Sequence, residues 1–275
     1  MPNLATTAEV KPDSEQERYS FSKLSCFNQC KYQFKLKYRT PRDERPKERE
    51  NAFSQYGIFV HELLEKYEKK ELAEFELAPK YEDEFDVWVT EEFPPNAYVN
   101  LQESYYNAGL EFLSNYEGQG ERYTVLGVEK YCTVEIDGIQ LRGFIDLILR
   151  DNTDGGIIVH DWKSKSTIKT KADKKKYGRQ LYLYSTYIKQ EYGMWPKMLR
   201  LYLFRKDMSV DIPFKEAEYD EAVEWMKSQV EAIKVCEGWD DYTYDQFFCA
   251  NLCEFRDSCK WRVIEESACQ QGGNP

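Results

Sequence analysis

Between residues 123 and 162 the chain has a pattern that suits a sheet better than any other structure. The run from Tyr123 to Ile136 (YTVLGVEKYCTVEI) is rich in β-branched and aromatic residues, which favour the pleated, half-buried environment of a strand. Asp137-Gly138 follows, a dipeptide suited to tight hairpin turns. Gln140 to Leu149 reads as the returning strand and Asn152-Thr-Asp-Gly-Gly as a second turn. Ile157 to Trp162 is a continuous apolar strand, the type that is buried on both faces.

The flanking segments read as helices. Ser20 or Ser22 can cap a helix whose apolar face holds Leu24, Phe27 and Tyr32, and Thr40-Pro41 ends it. Cys26 and Cys30, four apart, would share one side of that helix. Arg42 to Asn51 reads as a charged loop. Ala52 to Leu72 reads as a long helix, with Phe53, Tyr56, Val60, Leu64 and Tyr67 at helical spacing and with His61 and Glu65 one turn apart. Pro79 and Pro94-Pro95 break the region beyond it, leaving helices near Tyr81–Glu92 and Leu101–Tyr116. After the strands come a lysine-rich loop, a helix over Arg179–Gln190, a strand over Met198–Phe204 and a helix over Glu216–Cys236. The expected fold is an α/β domain, a mixed central sheet flanked by helices, with a helical insertion. One domain would span residues 19–262. Within it lie a helical segment (52–122), a β-core (123–204) and a cysteine-rich segment (247–261). A flexible arm (1–18) precedes the domain and a tail (263–275) follows it.

Composition narrows the class. Hydrophobic residues make up 41% and aromatics 15%, enough for a folded core. No apolar run reaches the roughly 18–20 residues that a membrane span needs, and the first residues lack a signal-peptide core. A cytoplasmic location is therefore expected, with the eight cysteines as thiols or metal ligands rather than disulfides. The net charge of −11 argues against binding nucleic acid over the whole surface. Two basic stretches interrupt that charge. Lys163 to Arg179 has eight cations against one acid, Asp173, and Lys31 to Arg49 is also basic. They can form a local basic groove or simply be solvated.

The chemistry gathers at the strand ends. Asp146 follows Gly143 in G-x-x-D, and Asp161 and Lys163 follow the buried strand as D-x-K. A strand, a turn and a returning strand can bring the two carboxylates together, where they repel unless a hard divalent cation lies between them. Asp161 and Lys163, two apart, share one face of a regular strand. An ammonium there can orient a water and stabilise charge on a scissile phosphate. No glycine-rich phosphate loop or nucleophile elbow is present.

In order along the chain come His61 in Tyr56-Gly-Ile-Phe-Val-His-Glu-Leu-Leu-Glu, Gly143-Phe-Ile-Asp146, Asp161-Trp-Lys163 and Gln180-Leu-Tyr-Leu-Tyr184. This ordered set resembles the PD-(D/E)xK nuclease superfamily, in particular its RecB-type, CRISPR-adaptation and phage exonuclease branch. The resemblance covers roughly Tyr19 to Trp261. It implies a metal-dependent DNA nuclease, an exonuclease using Mg2+ or Mn2+, in recombination, repair or phage replication. It also implies that His61, Asp146, Asp161 and the Trp162 carbonyl are metal ligands and that Lys163 is the catalytic lysine. Gln180 and Tyr184 would contact the substrate backbone or support the site. Lys165 and the lysine loop would meet DNA, whether single-stranded or at a duplex end, and a helicase or recombination protein would be a partner. Glu129, where the family also commonly shows a Glu, is read either as a support for the site or as a solvent-facing strand acid. His160, Tyr182 and Tyr187 are read as structural. The alternative function is a non-catalytic nucleic-acid-binding or assembly protein that keeps the fold.

Cys249, Cys253 and Cys259 fall within eleven residues, and three thiolates need a fourth partner to complete a tetrahedral site or a cubane. The same resemblance implies a 4Fe–4S cluster held by Cys30, Cys249, Cys253 and Cys259. The family's first C-terminal pair is spaced C-x2-C, whereas this chain has C-x3-C. Cys26 is an alternative ligand and zinc an alternative metal.

Overall fold

The computed structural model describes residues 17–264. Most of the expected N-terminal arm, the end of the tail and Cys269 lie outside the described residues. A five-stranded sheet crosses the middle of the molecule in the order β1-β2-β3-β4-β5. Its strands are β1 (Tyr123–Ile136), β2 (Ile139–Asp151), β3 (Ile157–Lys163), β4 (Met198–Leu203) and β5 (Met208–Pro213). The first three form an antiparallel meander, β4 joins β3 in parallel, and β5 returns antiparallel. The parallel step needs a crossover, which α6 (Lys171–Tyr192) supplies. This is the mixed, helix-flanked α/β sheet that the sequence pattern implies.

The β1–β2 turn sets the register. Asp137 and Gly138 have φ of 50° and 77°, the pair of left-handed residues that a type I′ turn requires. Ile136 therefore faces Ile139, the pairing runs back to Lys130 opposite Ile145, and it resumes at Val128 opposite Leu147.

Helices cover both faces of the sheet. On one side lie α1 (Phe21–Gln29), α2 (Lys31–Phe34), α6 and α7 (Glu216–Lys234). Leu24, Phe34, Leu181 and Met226 form a core there with Val134, Leu141 and Val159 of the sheet. On the other side lie α3 (Ala52–Glu68), α4 (Glu74–Trp88) and α5 (Leu101–Ser114). Phe59, Leu63, Tyr81 and Phe112 pack there with Leu147, Ile158 and Trp162. Among the described residues no helix is long and apolar enough to cross a membrane.

Four elements differ from expectation, each for a local reason. The first helix breaks at Cys30, whose backbone is extended and whose sulfur accepts the Gln33 N–H as the cap of α2. Cys26 and Cys30 thus leave the shared helical face. The fourth helix begins at Glu74 and runs through Pro79. Leu77, Tyr81 and Phe85 are buried along it, and that burial offsets the single backbone hydrogen bond that proline removes. The crossover helix begins at Lys171, eight residues before its expected start, because Thr170 and Asp173 form a reciprocal capping box. Half of the supposed lysine loop is therefore helix. The strand β5 was not expected at all, and it turns Val210 and Ile212 inward.

Candidate active site

Four elements converge where β2 changes sides. Before Asp146, the odd-numbered Leu141 and Ile145 point into the core under α6. After it, Leu147 and Leu149 point into the core under α3. The same reversal happens on β1 between Cys132 and Val128. At its centre is Glu129, a non-glycine residue held at a φ of 45°. Strained backbone of this kind re-aims a side chain and clusters at functional sites. Here it brings Glu129 to Asp146.

His61 of α3 completes the group. Ligand atoms of His61, Glu129 and Asp146 lie within 4.8 Å of one another, the arrangement expected of a metal site. His61 Nδ1 is 3.6 Å from Asp146 Oδ2, and its Nε2 is 2.9 Å from the Trp162 carbonyl oxygen. Asp146 Oδ2 also accepts the Trp162 N–H at 2.8 Å. The residue between Asp161 and Lys163 thus binds both His61 and Asp146 through its backbone, while its indole is buried in the α3 core.

Electrostatics point the same way. Burial, then the nearby Asp161 carboxylate, push Asp146 up to about 8. Burial, then Asp146 and Glu65, push Glu129 up to about 7. Burial lowers His61 and favours neutral imidazole, the ligating form. Anionic oxygens crowded this closely, beside a neutral imidazole and a carbonyl, suit a hard divalent cation.

Asp161 is 3% exposed and faces Lys163. Lys163 Nζ lies 2.9 Å from its Oδ1 and 2.7 Å from its Oδ2. Burial acts to lower the Lys163 ammonium, but Asp161 and Asp146 outweigh it and the net shift is upward. Of the expected ligands, His61, Asp146 and the Trp162 carbonyl therefore meet in one place, and Asp161 lies beside them paired with Lys163. Glu129, left between two readings by the sequence, stands in the group. Its place could have been counted from the turn, because rung by rung from Asp137-Gly138 it falls opposite Asp146.

Gln180 and Tyr184 stand one turn apart on α6. Tyr184 is 4% exposed. A side chain on Gly143 would overlap its hydroxyl and ring, so the G-x-x-D glycine and the Q-x-x-x-Y tyrosine are two halves of one contact. Lys165 is exposed, its ammonium 4.9 Å from the centre of the Tyr177 ring. His160 is fully buried and stacked on Tyr202, and Tyr182 belongs to the α6 core.

Cys30, Cys249, Cys253 and Cys259 line one small cavity with Tyr32, Leu36, Phe248 and Phe255. Cys26 is not among its lining residues and packs instead against the main core. Burial raises Cys253 to about 12, and Cys259 and Cys249 add to that shift. No three of these sulfurs come within 4.8 Å of one another. The described cysteines form no disulfide.

The basic stretch from Lys31 to Arg49 serves this end of the molecule. Lys31 pairs with Asp241, Lys35 with Asp240, Lys37 with Glu254, and Arg49 with Glu91 and Asp257. Four of its cations thus pair with the C-terminal segment, while Arg39 pairs with Glu17 at the N-terminal side.

A family model described as the PD-(D/E)XK nuclease superfamily matches residues 18–260. Among solved structures, one titled "Crystal structure of SSO0001" is 14% identical, covering 75% of this chain and 96% of that one, with a TM-score of 0.32. No curated protein matches the chain at a significant level.

Proposed function

Since the chain belongs to the PD-(D/E)XK nuclease superfamily, we propose that it is a DNA exonuclease that uses Mg2+ or Mn2+ and carries a 4Fe–4S cluster. The observation that carries the catalytic part is the meeting of His61, Glu129 and Asp146 beside the Asp161–Lys163 pair. These donors fit a hard divalent ion: two carboxylates, one neutral imidazole and a backbone carbonyl. Such an ion supplies Lewis acidity toward a phosphoryl oxygen and makes water more acidic.

The protein's own residues do the rest. Asp146 is oriented by the Trp162 N–H, and His61 is held against the Trp162 carbonyl. Asp161 aims the Lys163 ammonium, a donor that can stabilise charge developing on the scissile phosphate. Tyr184, locked over Gly143, fixes α6 against the strand that carries Asp146. Lys165 and Lys176 lie over the Tyr177 ring near Lys163, whereas Lys171, Lys174 and Lys175 line a groove with β5 and α7; DNA binding through these lysines should weaken with salt.

The cysteine cavity supports the second part of the reading. Four thiols lining one small cavity supply the ligand number that a 4Fe–4S cluster needs.

The test offers labelled linear single-stranded DNA, linear duplex and circular single-stranded DNA to the purified protein with Mg2+ or Mn2+. Linear substrates should be degraded and the circle spared, with Asp146→Asn and Asp161→Ala inactive. Calorimetric Mn2+ titration should give one strong site that Asp146→Asn removes. Equal cleavage by wild type and both variants would sink the site assignment, and a cut circle would sink the exonuclease.

A further inference from the structure

The hairpin that carries Glu129 and Asp146 also holds two large rings in water. Tyr131 and Phe144 stand directly opposite each other on β1 and β2. They are 50% and 54% exposed, with ring centroids 5.2 Å apart and planes inclined by 56°. Neither belongs to either core. A cross-strand aromatic pair steadies a hairpin by at most about 1 kcal/mol, which is a weak reason to leave two large apolar side chains half in water.

Their position gives a better reason. Leu141 and Ile145 of β2, like Cys132 and Val134 of β1, point into the α6 core. Side chains alternate along a strand, so Phe144 and Tyr131 face the other way, as Asp146 does. The two rings lie two residues from the Glu129–Asp146 rung, about 7 Å along the strands. Two residues farther on, Thr133 faces Arg142. Arg142 is exposed and makes no ion pair among the described residues. One face of the hairpin thus presents, in order, the acids of the candidate metal site, two stacked-out rings and a free guanidinium.

We propose that Tyr131 and Phe144 form a base-stacking platform for single-stranded nucleic acid, with Arg142 meeting a phosphate beyond it and the strand leading on to Asp146. The inference rests on the nuclease reading above and adds the substrate form and the path. In a duplex the base faces are stacked on one another, so only unpaired bases can lie against protein rings. The same-face neighbours (Glu129, Thr133, Arg142 and Asp146) are all polar. The apolar area is therefore two rings wide, far smaller than a protein-docking surface.

The experiment measures binding apart from cleavage. Fluorescence anisotropy in EDTA compares a labelled single-stranded oligonucleotide with its duplex form, for wild type and three variants. Tyr131→Leu/Phe144→Leu keeps apolar strand formers but removes the rings. It should weaken single-strand binding by about tenfold or more while leaving duplex binding unchanged. Tyr131→Phe/Phe144→Tyr keeps the rings and should bind as wild type does. Arg142→Ala should weaken binding and reduce its salt dependence by about one ion. Circular dichroism melting confirms that each variant is folded. Undiminished single-strand binding by the Leu double variant overturns the platform, and so does an equal loss for duplex. If the ring-dependent binding holds but no metal restores cleavage, the platform stands and the nuclease reading fails.

Discussion

Glu129 shows most directly how single residues decide this site. It sits at a left-handed φ that costs free energy and places its carboxylate against that of Asp146. Both features are unfavourable without a cation, so replacing this residue should have opposite effects in the two states. Glu129→Gln should raise the melting temperature of the metal-free protein, because it removes like-charge repulsion. It should also weaken Mn2+ binding by on the order of tenfold, about 1.4 kcal/mol. Differential scanning fluorimetry with EDTA and calorimetry with Mn2+ read the two effects. If both move in the same direction, Glu129 is a structural residue only. Gly143 makes a related point about motifs. Its conformation is ordinary extended strand, and what excludes a larger residue is the Tyr184 ring lying on it.

Among the elements, the β1–β2 hairpin does most of the organising, and its far end is fastened separately. Asp151 ends β2 and is fully buried. Its Oδ2 accepts from Lys197 at 2.7 Å and from Arg122 at 3.0 Å, and its Oδ1 accepts from Thr153. Hydrogen bonds from Lys197, then Thr153 and Arg122, hold this carboxyl well below the usual carboxylate range. A group with a depressed folded pKa stabilises the fold fully above its unfolded value, about 3.9, and loses that contribution as pH falls below it. Thermal melts at descending pH should therefore show a steeper acid loss in wild type than in Asp151→Asn, which should be less stable at neutral pH. Parallel pH curves would show that Asp151 is not a stability anchor.

The hairpin is also where the sequence was most legible. Asp137-Gly138 and the alternation around it give β1, β2 and their register directly. The ordered His, G-x-x-D and D-x-K elements also mark most of the site's residues. Three features were less legible, each because it depends on contacts made elsewhere. β5 is too short and mixed to stand out until Val210 and Ile212 find the α6–α7 core. The break at Cys30 comes from a cysteine acting as a helix cap, a role that residue type seldom takes. The face reversal at Glu129 and Asp146 lies in two strands at once, so neither strand's pattern reveals it alone.

At the scale of the whole molecule, two helical layers grip one sheet, and a third, smaller cluster ties the ends together. Leu36, Cys253 and Phe255 form that cluster with Tyr32 and Phe248 packed on it. Arg256 reaches across to the carbonyl oxygens of Arg49 and Glu50. If the four cysteines hold a 4Fe–4S cluster, anaerobically purified protein should be brown and contain iron and acid-labile sulfide. Cys253→Ser should lose both and melt at a lower temperature, whereas Cys26→Ser should keep its iron. Colourless protein with one bound zinc would refute the iron–sulfur assignment.

That clasp also constrains the order of events during synthesis. The residues that bind Arg49 and Glu50 are translated some 200 positions later, after the entire sheet and every helix around it. A nascent chain can therefore assemble the acids and the lysine of its site before Tyr32, Leu36 and the Arg49-Glu50 backbone have their C-terminal partners. Loop-closure entropy grows only with the logarithm of length, so the wait itself adds little to the cost of closing. A chain released early would carry the reactive centre without the segment that secures it.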